Sequence, residues 1–157
     1  MVSSLIGIHA ASGEIGSILF LWVFIELLNS NEQRINRAKK VALFGFLSFI
    51  LSWIIGGYYY LTTYANIIKP LIKESTNSYA HLIVMETKEH AFLLLPILSC
   101  IIFCILKNDS KEILKNNKYR KSLLFLSLLT FLIGMSMAFM GYLISAAARF
   151  ALEVKLL

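Results

Sequence analysis

Four long apolar runs alternate with short polar stretches, at 5–28, 41–64, 82–106 and 122–148. Each is long enough to cross the roughly 30 Å hydrocarbon core of a bilayer, which takes about 20 apolar residues. The pattern predicts an all-α, polytopic membrane protein of one domain. The intervening stretches hold 12, 17 and 15 residues, so consecutive spans are expected to pack as antiparallel neighbours in an up-down bundle. The stretch 65–80 contains Lys69-Pro70 and Ser75-Thr76-Asn77-Ser78 and reads as an external loop with room for a short surface helix. Pro96, inside the third run, removes one backbone hydrogen bond and should bend that helix near Phe92. No internal repeat is present.

Composition agrees with the pattern. Hydrophobic residues make up 58% of the 157, charged residues only 15%, and the mean hydropathy is +0.73, against about 45–50% and 25% for a soluble domain. The charges orient the chain. Arg34, Arg37, Lys39 and Lys40 fill the first linker, and Lys107, Lys111, Lys115, Lys118, Arg120 and Lys121 the third. The second linker has Lys69 and Lys73, the tail Arg149 and Lys155, with Lys88 at a boundary. By the positive-inside rule both termini lie outside. The net charge of +6 is then a topology signal with some attraction to anionic headgroups, and it calls for no nucleic acid. The first run lacks a basic leader, carries Glu14 and Glu26, and continues into Arg34-Ile35-Asn36-Arg37, which reads as a retained span rather than a signal peptide. The expected location is a bacterial or archaeal cytoplasmic membrane. Cys100 and Cys104, one helical turn apart, make neither a disulfide framework nor a zinc pattern. Phosphate-binding loops and nucleophile elbows are absent.

Small residues recur in stripes. Ser12, Gly13 and Gly16 share a face with His9; Gly45, Ser48, Ser52 and Gly56 line the second run; Gly134, Ala138, Gly141, Ser145 and Ala148 line the fourth. Such stripes let helix backbones approach in lipid, or leave room for a flat cofactor. They also allow a homodimer or membership of a larger membrane complex.

The chemistry concentrates in Met85-Glu86-Thr87-Lys88-Glu89-His90, at the mouth of the third run. Ionisable groups at a membrane boundary are costly and usually face the protein interior, where they bind or relay something. Glu86 and His90 stand four apart on one helix face, with Glu89 beside them. At 1.5 Å per residue, His9, Glu14, Gly56, His90 and Gly141 rise about 21–28 Å above the inner boundary, in one outer layer. His9 and His90, from different helices, are the expected axial pair of a b-type haem seated among Gly13, Gly56 and Gly141. Its propionates would reach Lys69, Lys88, Arg149 or a tyrosine hydroxyl, and Glu86 and Glu89 would tune its potential or pass protons. Electrons would pass between membrane quinol and an external acceptor.

Two other readings stand beside this one. His9, His90, Glu86, Glu89 and Glu14 offer an oxygen and nitrogen set for iron, manganese or zinc. A di-iron site would need Glu-x-x-His, whereas Thr87 stands three before His90, and Glu14 projects about 140° from His9. Alternatively the chain is a non-catalytic transporter or assembly subunit with a proton or ion path. Glu14–Lys88 and Glu86–Arg149 would then be ion pairs closing the bundle. Glu26 is expected to be a solvated helix end, His81 a loop residue, and Trp22 and Trp53 packing residues. In hydropathy pattern the chain resembles the small four-helix membrane cytochromes, with histidines near one membrane face. That resemblance is architectural and carries over no residue.

Overall fold

Proline, which removes a backbone donor, is absent from three of the four apolar runs, and all four form helices. The structure is a computed structural model, and it describes residues 4–156. Helix α1 spans Ser4–Leu28, and Asn29–Asn31 turns the chain. Asn31, extended at φ −136° and ψ 175°, caps α2 (Glu32–Tyr59) by accepting a hydrogen bond from the Arg34 amide at 2.9 Å. Glu32 in the first turn complements the helix dipole. Helix α2 continues through a π-helical stretch, Tyr60–Ile68, into α3 (Lys69–Glu74), with Pro70 in its first turn. A tight turn closed by Ser75, whose hydroxyl donates to the Ile72 carbonyl, returns the chain. A second π-helical stretch, Ala80–Met85, leads into α4 (Glu86–Ala91), α5 (Leu94–Asn108), α6 (Ser110–Lys115) and α7 (Asn117–Leu156).

Four continuous rods result: Ser4–Leu28, Glu32–Glu74, Ala80–Asn108 and Asn117–Lys155, each long and apolar enough to cross a membrane. Among the described residues there is no strand. Helix α1 packs on α2 and α7, and α5 also packs on α2 and α7. This closes a four-helix ring in which sequence neighbours are spatial neighbours. The linkers are shorter than the sequence implied, because the basic residues of the first linker form the opening turns of α2 and the second rod runs on to Glu74. Its 43 residues measure about 64 Å at α-helical rise, roughly twice a bilayer core. Where Pro96 is expected to bend the helix, the helix is interrupted: α4 stops at Ala91 and α5 starts at Leu94.

The core falls into two parts. The larger, at the end carrying the basic linkers, includes Phe20, Leu27, Phe49, Ile102, Leu106 and Leu123, with Phe20 and Phe49 stacked at 5.8 Å. The smaller, at the opposite end, is built on Tyr64, Ile72, Ala80, Ile144 and Ala147. Buried hydroxyls satisfy themselves one turn back, as Ser17 does on the Gly13 carbonyl and Thr130 on that of Leu126. Among the described residues, thirty large hydrophobic side chains are exposed, spread over all four rods. Trp22 and Trp53 belong to this outer belt at 48% and 43% exposure. Neither fills the interior, although the Trp22 indole N–H is bonded locally, to Glu26, as expected.

Candidate functional site

Between the two core parts lies a polar layer. On α1, His9 is half-buried and its Nδ1 lies 2.8 Å from the Ser52 carbonyl of α2. The Ser52 hydroxyl donates to the His9 carbonyl at 2.9 Å, so ring and backbone are pinned together. The ring packs against Gly56, where a Cβ would stand 2.5 Å from Nδ1 and 2.6 Å from Cε1. Only glycine leaves that space.

Lys88 enters the same layer from α4. Its Nζ would lie 3.0 Å from a Cβ placed on Gly141 of α7, and its charge is within reach of His9. Among the described residues the only ion pairs join Glu26 to Arg34 and Arg37, each at 2.9 Å. Lys88 therefore has no carboxylate partner. Glu89, the next residue, is half-buried, has one oxygen enclosed without a hydrogen-bond partner, and approaches the Tyr60 hydroxyl. Tyr60 stacks on Tyr64 at 5.4 Å, and the Tyr64 hydroxyl meets His81 Nδ1 at 3.1 Å. His81 is 1% exposed and its Nε2 has no partner. The chain His81–Tyr64–Tyr60–Glu89 thus leads from the Ser75–Tyr79 turn down to the layer of Lys88 and His9. Tyr60, Tyr64 and His81 all sit in the two π-helical stretches, a geometry that tends to mark functional sites.

Other expected partners are not brought together. Glu86 and His90 stack as their spacing implied, with His90 Nδ1 at 2.6 Å from the Glu86 carbonyl, but both are exposed. Lys88 faces His9, and His90 stands about 200° further round the same helix, so the two imidazoles do not oppose one another. Both histidines do direct Nδ1 at a backbone carbonyl, which leaves Nε2 as the ligating nitrogen. A haem held by both does not fit this packing. The glycine positions are also filled: a Cβ on Gly13 would meet Ser52, one on Gly16 the Phe49 ring, one on Gly45 the Phe20 ring and one on Gly134 Ser17. The stripes are helix contacts here, and the one at Gly141 holds Lys88. Among the described residues no three His, Cys, Asp or Glu side chains converge as a metal would need, and Glu14 is exposed on α1. Arg149 bonds Ser145 rather than Glu86.

Two expectations are reversed. Glu26 is buried at 5% exposure, not solvated; Trp22, Arg34 and Arg37 all donate to it. His81 is a core residue, not a loop residue, because the second and third rods extend past the apolar runs and fold it inward against Tyr64. No protein family, characterised protein or solved structure matches the chain.

Proposed function

We propose that this chain is an integral membrane protein of the transporter type, with four spans and both termini outside. In this reading it takes up and passes protons through the polar layer of its outer half. The observation that carries the proposal is Lys88, a lysine set between His9 and Gly141 without a carboxylate to balance it. Intramembrane ionisable groups of this kind mark substrate or proton routes. His81 and Tyr64, hydrogen-bonded to each other, and Tyr60, stacked on Tyr64, place further polar groups beside Glu89 on the other side of the layer. The exposed apolar belt supports lipid as the surrounding medium, and the Arg and Lys residues clustered at the Asn29–Asn31 and Asp109–Asn116 ends support the orientation.

The stacked Phe20–Phe49 core below the layer closes the inner half. A proton reaching Lys88 crosses to the inner side only when the bundle rearranges, so turnover is slow and carrier-like. Proteoliposomes loaded with a pH-sensitive dye, under a potassium diffusion potential, test this. The purified chain should acidify vesicles faster than protein-free controls. Lys88→Met should reduce the rate at least tenfold, and His90→Ala should leave it unchanged. Equal rates for the wild type and Lys88→Met, or a wild type no faster than empty vesicles, would refute the proposal.

A further inference from the structure

Glu14 lies ten residues from the start of α1 and fourteen from its end, about 15 and 21 Å along the axis. It is exposed, and among the described residues it forms neither a hydrogen bond nor an ion pair. Its neighbours on that face are Gly7, Ala10, Ala11, Ile15 and Ile18, all exposed, and a Cβ on Gly7 would meet nothing within 4 Å. The face is unused inside the chain. Ionisable side chains in spans almost always turn away from lipid, because an unpaired carboxyl in hydrocarbon is costly. A mid-span carboxyl facing outward therefore requires a partner that this chain does not itself supply.

We infer that this face of α1 packs against α1 of a second copy, with the two Glu14 carboxyls hydrogen-bonded to each other at the interface. The inference rests on the reading that the chain spans a membrane. The partner follows from self-complementarity. A protonated carboxyl has one donor and spare acceptor capacity, so two identical ones satisfy each other across a two-fold axis, where a surface patch meets itself. Gly7 and Ala11, four apart and in line with Glu14, let the two backbones approach closely enough for that bond. The charged rim expected of a partner with a fixed cation is missing on this face, which is otherwise aliphatic.

The test uses the full chain in native membranes with Cys100→Ala and Cys104→Ala as background. An Ala11→Cys variant should form a disulfide-linked dimer under mild oxidation, and Phe139→Cys, exposed on α7, should not. Adding Glu14→Leu should lower the cross-linked fraction at least tenfold, whereas Glu14→Gln, whose amide also both donates and accepts, should retain it. Cross-linking of Ala11→Cys no stronger than that of Phe139→Cys, capture of a different protein, or indifference to Glu14→Leu would each overturn the inference. Alkaline extraction of the same membranes separates the two readings. A chain that stays in the pellet without dimerising defeats the interface alone, and a chain that washes out defeats the membrane reading.

Discussion

Replacing Gly56 by alanine tests the contact that fixes His9. The added Cβ would stand 2.5 Å from Nδ1 and 2.6 Å from Cε1, so the imidazole must move. Overpacking of this kind costs about 1–3 kcal/mol. A displaced ring also gives up the 2.8 Å contact with the Ser52 carbonyl, worth about 0.5–1.5 kcal/mol. Alanine returns up to about 1 kcal/mol through its helix propensity. The expected net destabilisation is about 1–3 kcal/mol, read as a lower midpoint in SDS or thermal unfolding of the detergent-solubilised chain by circular dichroism. Gly57 is the control: a Cβ there meets nothing within 4 Å, so Gly57→Ala should be neutral or mildly stabilising. In a His9→Ala background, Gly56→Ala should lose its cost, giving an interaction energy of about 1–3 kcal/mol, within the range for residues in contact. Equal effects of Gly56→Ala and Gly57→Ala, or a cost that persists without the His9 ring, would refute the reasoning.

Glu26→Gln removes the charge that holds Arg34 and Arg37 against α1. Since those arginine side chains keep 25% and 47% of their exposure, the loss should be about 1–3 kcal/mol rather than the full penalty of a buried pair, and an unchanged unfolding midpoint would contradict it. Tyr64→Phe leaves His81, already lacking a partner at Nε2, without one at Nδ1 as well. It should cost about 1–3 kcal/mol in the same assay, while His90→Ala, confined to an exposed face, should stay within about 0.5 kcal/mol.

Much of this was legible in the chain. The four helices followed from hydropathy, and the break at Phe92–Leu93 from Pro96. The inward position of Lys88 was also readable: Leu106, Ile102, Ser99 and Leu95 are buried at steps of three and four, and steps of three and four continue to Ala91, Lys88, Val84 and His81. That stripe passes through Lys88 and His81 and misses His90 and Glu86, the residues whose chemistry drew attention first. The fate of Glu26 was hidden because its partners lie 8 and 11 residues away across a three-residue turn, where hydropathy sees only a polar linker. The π-helical stretches carry no sequence signature of their own. Within them Tyr64 and Ala80 pack in one buried cluster with Ile144, a contact between distant parts of the chain that hydropathy does not register.

The most direct measurement is the sidedness of access to Lys88. A Lys88→Cys variant, with Cys100 and Cys104 replaced by alanine, is treated with a membrane-impermeant thiol reagent in vesicles of defined orientation. Labelling from the face opposite the basic linkers, and not from the basic face, is the predicted result, because Lys88 lies on the His81 side of the Phe20–Phe49 core, which closes the basic side. Labelling only from the basic face, or none from either, would contradict the proposed access to Lys88 from the side opposite the basic linkers.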